Sequence, residues 1–458
     1  VTSPSASLDA IFKAYDIRGV YPDQINEPVA RLVGGAFVRF TGAPTVLVGR
    51  DARPSSAPLA DAFTDGATTA GADVVDLGLA STDLVYFASG DLDAPAAMFT
   101  ASHNPAEYNG IKLCRAGAAP VGADTGLQEL EAAVASGQLP AASRPGRRRQ
   151  QDLLPAFVAH VRSFVDVDAL RGQRLVADTA NGLGGLVVPA VFAGLPVELE
   201  VLFGELDGTF PNHPANPIQP ENLVDLQRAV LERGADAGLA FDGDADRVFL
   251  VDERAEPLSG SLTTAIVAAS TLQRLPAHAG EADRTIVHNL ICSKAVPEVV
   301  RELGGTPVRT RVGHSYIKQV MADTGARFGG EHSGHYYFRD NFRADSGIIA
   351  ALVVLETLAR AGVPLSELRR PYERYVQSGE VNRRVDDPAA VLERVAAAHA
   401  EAAQDRLDGL TVDHGDWWFN LRPSNTEPLL RLNLEAADAA SCRRHTEAVL
   451  TLVGGEAD

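Results

Sequence analysis

Ala237-Gly238-Leu239-Ala240-Phe241, followed at once by Asp242-Gly243-Asp244-Ala245-Asp246-Arg247, is the stretch from which this chain is best read. The first five residues form an apolar run that stops at Asp and Gly, the pattern of a buried strand ending in a loop. The loop then places carboxylates at alternating positions. Crowded at a strand end, such groups either share protons or hold a hard cation, and an all-oxygen set suits Mg²⁺. Arg247 adds a fixed positive charge able to grip a phosphate. The spacing of the three acids also matches the opening of an EF-hand, with Glu253 at the place of its last ligand. However, Arg247 stands where that loop needs Gly, and Val248–Val251 reads as a strand. A solvent-facing acidic turn is the plainer alternative.

Outward from this stretch, a three-fold pattern emerges. Thr45–Val48, Arg174–Ala177 and Arg284–Val287 are short apolar strands, each entering a polar or Gly-rich turn. Each leads through a helical stretch to a second strand, Asp73–Leu77, Val197–Phe203 or Thr306–Val312. Each unit then closes on an unusual polar motif: Thr100–Pro105, Asp242–Arg247 or Gly330–His335. Alternating strands and helices predict parallel α/β layers, in which ligands collect outside the carboxyl ends of strands. Joints are expected near Ser143–Gln151, where Arg147-Arg148-Arg149 reads as a solvated connector, after Val251, and near Arg369–Pro371. The last segment has a different rhythm, with strands Gly379–Val385, Leu410–Asp413, Trp417–Leu421 and Leu429–Leu434 and helices Ala389–Ala403 and Ala439–Val453. Its consecutive strands suggest an antiparallel α+β module. The expected fold is three similar α/β domains (1–150, 151–251, 252–369) and a smaller C-terminal α+β domain (370–458) around a central cleft.

The 458 residues are 45% hydrophobic and carry a formal charge of −19. That charge argues against nucleic acid and against an anionic membrane surface as partners. An anionic substrate would need local cations to overcome it. Cys114, Cys292 and Cys442 are few, odd in number and widely spaced, which fits a reducing cytoplasm and offers neither a zinc site nor a disulfide framework. Val1–Ala10 lacks the basic start and apolar stretch of a signal peptide.

In Thr100-Ala101-Ser102-His103-Asn104-Pro105, small neighbours would leave the Ser102 hydroxyl exposed in a tight loop. Asn104 and Pro105 are turn formers, and His103 is a donor or proton carrier beside it. Alone, the segment reads equally well as a helix N-cap at Ser102. Glu331 and Ser333 lie two apart, so on an extended segment they face one way. A metal site of Glu331, His332 and His335 lacks a third well-spaced ligand and a helical pattern. Arg422, Ser424, Asn425 and Thr426 combine a guanidinium fork with short donors, a phosphate grip or else an ordinary hairpin turn.

Taken together, these segments resemble the α-D-phosphohexomutase family, most closely its phosphomannomutase/phosphoglucomutase branch. The resemblance covers nearly the whole chain in the family's order. Lys13–Gly19 comes first, then Thr100–Pro105 continuing into Glu107–Lys112, Asp207–His213, Asp242–Arg247, Gly330–His335 and Arg422–Pro428. It implies a mutase that moves a phosphoryl group between C1 and C6 of a hexose through a hexose 1,6-bisphosphate, which also serves as activator. Ser102 would carry the phosphate. Mg²⁺ would be held by Asp242, Asp244, Asp246 and a phosphate oxygen on Ser102. Arg18, Lys112 and His103 would flank the reacting phosphoryl group, with Tyr15 nearby and Arg247 on the substrate. Glu331 and Ser333 would read O3 and O4, which mannose and glucose share, with His335 and His314 as further substrate contacts. Arg422, Ser424, Asn425, Thr426 and Arg431 would hold the phosphate that is not reacting.

The implied substrates are mannose phosphates first and glucose phosphates second. Asn425, where phosphoglucosamine mutases tend to have Gly, argues against an amino sugar. Two departures bear on substrate preference: Ser81-Thr82-Asp83 replaces a frequent Thr-Pro, and the substrate-facing Lys that some members carry near Ile291 is missing. Two other readings remain open at this level. Asp242 could be the nucleophile of a haloacid-dehalogenase-type sugar phosphatase, or the chain could be a non-catalytic sugar-phosphate sensor.

Overall fold

Every residue of Ala237–Phe241 is buried, as a strand covered on both faces requires. The computed structural model describes residues 8–138, 141–423 and 429–457, whose strands form four sheets. In the second sheet, Arg174–Asp178 is central. It pairs in parallel with Glu198–Leu202 on one side and Ala237–Phe241 on the other, and Val248–Asp252 lies antiparallel beyond. The first sheet repeats this order: Thr45–Arg50 stands between Asp73–Leu79 and Ala96–Phe99, and Tyr108–Arg115 returns antiparallel. The third does so again, with Thr285–Asn289 between Thr306–Thr310 and Phe328–Gly330, and Tyr336–Phe338 antiparallel.

The expectation of parallel layers thus holds for three strands of each unit and fails for the fourth. The physical reason is loop length. A parallel partner needs a crossover of a dozen residues or more, whereas the third and fourth strands are joined by short turns. Those turns carry the three unusual motifs, which therefore occupy one topological position in three copies of one fold. Val248–Asp252 being a strand also removes the EF-hand reading; Glu253 instead accepts hydrogen bonds from the Ser366 amide and hydroxyl.

The Arg147–Arg149 run is not merely a connector. Arg148–Gln150 adds a parallel edge strand beside Asp73–Leu79, and the Arg148 guanidinium donates to Asp61 and Asp76, each at 2.7 Å. An edge strand needs only its backbone to pair, so exposed arginines suit it. The second sheet also includes Pro257–Leu258, beyond the joint expected after Val251.

The fourth sheet is antiparallel throughout and packs under helices Pro388–Ala398 and Ala439–Val453. It has its own apolar cluster, including Val395, Phe419, Leu430 and Leu432. By contrast, one continuous cluster runs through the first three units, joining Val85 and Phe87 to Val187 and Leu239 and on to Ile286 and Leu352. The C-terminal module meets that body through polar contacts. Lys294 Nζ lies 2.6 Å from Asp413, Arg309 pairs with Asp405, and Arg374 binds Glu298 and Glu302. No single helix among the described residues is long and apolar enough to cross a membrane.

Candidate active site

The turn after Ala96–Phe99 puts Ser102 in the left-handed region, at φ 52°. That conformation costs a non-glycine residue about 1–3 kcal/mol and persists only where its surroundings impose it. Ser102 is not a helix N-cap. Its amide donates to the Thr100 side-chain oxygen at 2.9 Å, and its hydroxyl donates across to Asp242 Oδ2 at 2.7 Å. His103 Nδ1 lies 3.2 Å from the same hydroxyl oxygen, and Arg247 Nη2 lies 3.5 Å from it. Burial, helped by the Arg247 and Arg18 charges, holds the His103 pKa well below the usual histidine value, so its ring is neutral near pH 7. Arg18 donates to the Asn104 side chain at 2.6 Å and pairs with Asp16.

The metal-type loop is buried, not a solvent-facing turn. Lys112 Nζ stands between Asp244 Oδ2 at 2.8 Å and Asp246 Oδ2 at 2.7 Å. Burial works against the Lys112 ammonium, but the two carboxylates outweigh it and hold its pKa well above the ordinary lysine value. Burial likewise opposes the Asp244 carboxylate, and Lys112 with Thr82 overcomes it, so its pKa lies below the usual range. Asp242 is pushed up to about 7 by burial, against the pull of Arg247. Arg247 Nε donates to Asp242 Oδ2 at 2.9 Å.

The remaining oxygens decide what the loop can hold. Asp244 Oδ1 and Asp246 Oδ1 are buried without a hydrogen-bond partner among the described residues. One oxygen from each of Asp242, Asp244 and Asp246 fits within a 4.8 Å cluster. Leaving a charged acceptor buried and unsatisfied costs at least about 1–3 kcal/mol. A hard divalent cation would satisfy both oxygens, and three carboxylates form a donor set suited to Mg²⁺. The charge balance agrees: Lys112 and Arg247 offset only two of three negative charges. A phosphate of nearly two further negative charges on Ser102 would need additional positive charge there.

The third turn joins the second through an antiparallel bridge between Arg247 and His335. Ser333 donates to Glu331 Oε2 at 2.8 Å, while the Gly313 amide reaches Oε1 at 3.3 Å. Burial raises the Glu331 pKa. His335 Nδ1 lies 2.7 Å from Asp345 and 3.7 Å from Asp246. Burial opposes its charge, yet Asp246 and Asp345 raise its pKa. His332 turns away to Ser261 at 2.9 Å, so Glu331, His332 and His335 form no metal site. Tyr15 donates to the Val312 carbonyl at 2.9 Å and meets the His314 ring edge-on. Its phenol is pushed up to about 12, first by burial and then by Tyr316, Asp408 and Glu331, with Arg422 opposing; the Val312 amide donates to Asp408 at 3.1 Å, so the C-terminal module reaches this segment.

Arg422 and Arg431 face each other on neighbouring strands and share Glu380, at 3.4 and 3.1 Å. Each keeps a buried Nε without a hydrogen-bond partner among the described residues. Ser424, Asn425 and Thr426 lie outside the described residues.

Four groups escaped the sequence reading. Thr82 donates to Asp244 Oδ2 at 2.6 Å. Asp83, one residue on, is buried and accepts from Ser81 and Ser346. Asp345 and Lys318 form a buried pair at 3.0 Å behind His335. In the sequence Ser81-Thr82-Asp83 departs from the family pattern, and the polar run itself, at a strand end, is the available signal.

Comparison with known proteins agrees with this geometry. Models of the phosphoglucomutase/phosphomannomutase family match in order: alpha/beta/alpha domain I over residues 9–140, domain II over 155–260, domain III over 260–375 and the C-terminal domain over 380–452. A phosphomannomutase of Salmonella montevideo is 40% identical over 96% of this chain and 98% of its own. The phosphohexose mutases of Xanthomonas campestris pv. campestris are 39% identical over 97% and 99%. A crystal structure of a phosphoglucomutase/phosphomannomutase family protein from Burkholderia thailandensis superposes with a TM-score of 0.87, at 32% identity, covering 98% of this chain and 99% of that one.

Proposed function

The chain belongs to the phosphoglucomutase/phosphomannomutase family, and from that premise we propose that it is a phosphohexomutase working through a phosphoserine at Ser102. It interconverts hexose 6-phosphate and hexose 1-phosphate, with mannose phosphates as first substrates and glucose phosphates as second, through a hexose 1,6-bisphosphate. The observation that carries the reading is Ser102 Oγ at 2.7 Å from Asp242, beside two carboxylates that each keep an unpartnered oxygen.

Asp242, Asp244, Asp246 and a phosphate oxygen on Ser102 would hold Mg²⁺, which supplies charge neutralisation for the transferring group. The chain's own residues do the rest. Phosphoryl transfer depends on in-line placement and on cations around the equatorial oxygens. Arg247 and Lys112 stand at the reacting end, and Arg18 steadies the Asn104 side chain of the same turn. A sugar hydroxyl attacks phosphorus as the bond to Ser102 Oγ breaks, and the proton it loses passes by way of a phosphate oxygen to the departing serine oxygen. Neutral His103, 3.2 Å away, can steady that oxygen with a hydrogen bond from its Nδ1–H tautomer. Glu331 and Ser333 orient the sugar through hydroxyls that survive its turning over. Arg422 and Arg431, with Ser424, Asn425 and Thr426, hold the other phosphate in both orientations.

The test is turnover of mannose 1-phosphate with glucose 1,6-bisphosphate as activator. Mannose 6-phosphate should form without free phosphate, and glucose 1-phosphate should also react. Release of free phosphate would instead favour the aspartyl phosphatase. That enzyme would need Asp242 free to attack, whereas both its oxygens are engaged by Ser102 and Arg247. No turnover would favour the sensor.

A further inference from the structure

The loop Asp207–His213 is one of the segments that carry the family resemblance, yet it has no part in the chemistry above. It packs against the first unit at Ala52 and Arg53. The Phe210 ring centre lies 5.0 Å from the Arg53 guanidinium carbon. A Cβ on Gly208 would stand 2.3 Å from Arg53 Cα, so only glycine lets the loop lie this close. A Cβ on Gly243, inside the acidic loop, would meet the Ser102 carbonyl oxygen at 2.4 Å and the tip of Phe210 at 3.4 Å. Arg53, Phe210, Gly243 and Ser102 are thus packed together where the two units meet.

The Arg53 side chain is wholly buried. Its Nε donates to Asp51 at 3.0 Å. Nη1 donates to the carbonyls of Pro105 at 2.6 Å and Tyr108 at 3.1 Å. Nη2 donates to the carbonyls of Ser102 at 2.9 Å and Asn104 at 2.7 Å. All five N–H groups of the guanidinium are used, and four of them hold carbonyls of the turn that carries Ser102. Nothing else described here grips that turn so completely, and the left-handed backbone of Ser102 requires such a grip.

We propose that Arg53 is a positioning residue for phosphoryl transfer: covered by Phe210, it fixes the Ser102 turn and so aims Oγ at the acidic loop. The proposal rests on the reading of Ser102 as phosphoryl carrier. Its distinctive consequence is a split between turnover and binding. Arg53 acts on the reacting oxygen and on none of Glu331, Ser333 or Arg422, so substrate affinity should survive its loss.

Two variants test this, with Ser102→Ala alongside and thermal melting to establish folding. Arg53→Lys keeps the charge opposite Asp51 but cannot span four carbonyls from a single nitrogen. Phe210→Leu keeps an apolar cover but removes the ring face. With mannose 1-phosphate and saturating glucose 1,6-bisphosphate, Arg53→Lys should lower kcat about 100-fold and change KM less than about threefold, the signature of a misplaced reacting group. Phe210→Leu should show the same split at about tenfold. If Arg53→Lys does not fold, Phe210→Leu decides alone. Folded variants whose kcat stays near the parent value, or whose KM rises in step with the loss, overturn the proposal. Full activity in Ser102→Ala would instead overturn the carrier reading, and the proposal with it.

Discussion

The body built from the first three units and the C-terminal module solve opposite problems. In the body, one apolar cluster runs across all three units, and the charged groups at its centre are buried and tightly paired: Lys112 with Asp244 and Asp246, Arg247 with Asp242. The C-terminal module keeps a core of its own and meets the body through salt bridges such as Lys294–Asp413, whose side chains are 23% and 44% exposed. Packed apolar interfaces resist shear, whereas exposed ion pairs contribute little and are screened by salt. One apolar core thus ties the three units around Ser102, whereas a polar seam joins the C-terminal module to them.

Breaking this contrast should have graded effects. Ser102→Ala removes the proposed carrier and should lower kcat by roughly 10⁴-fold or more, with no phosphate found at that position by peptide mass spectrometry. Activity near the parent level at fixed bisphosphate would count against it. Asp244→Asn keeps shape but removes a charge beside Lys112. Mg²⁺ affinity measured by calorimetry should fall, and turnover should drop about 10²- to 10³-fold. Undiminished activity in EDTA would deny the loop a metal role.

Across the seam the effects should be smaller. Arg422→Ala removes a charged phosphate contact, so kcat/KM should fall about 10- to 100-fold for the 1-phosphate and the 6-phosphate alike, with Ser102 still phosphorylatable. A loss confined to one direction of transfer would refute a shared holding site. Asp413→Asn cuts one exposed pair of the seam. KM should shift by less than about threefold, and its dependence on ionic strength should weaken. A large fall in kcat would mean that the seam is part of the rigid body.

Much of the site was legible in the chain because its chemistry is local. Asp242, Asp244 and Asp246 lie within one turn, and so do Glu331 and Ser333; for such sets, spacing and residue type suffice. The C-terminal strand pattern was equally readable, and helix Ala439–Val453 has the expected bounds. Helix Pro388–Ala398 stops short of the expected Ala403, because Ala403–Asp405 forms a strand instead. The antiparallel return of each fourth strand was harder to see, since alternation of elements carries no sign of strand direction.

What the sequence determined by itself was the inventory: three strand-ending motifs, the residue types in each, and the mutase pattern of their order. Only the tertiary structure decided which groups meet. Ser102 and Asp242 are 140 residues apart in the chain, and Thr82 reaches Asp244 from a segment that looked like a mere departure from pattern. Arg53 looks like any surface arginine in sequence, yet it is buried and bonded to four carbonyls. Residue types are local facts, while burial, an unpartnered oxygen or a left-handed serine held by a distant guanidinium exists only once separate segments pack together.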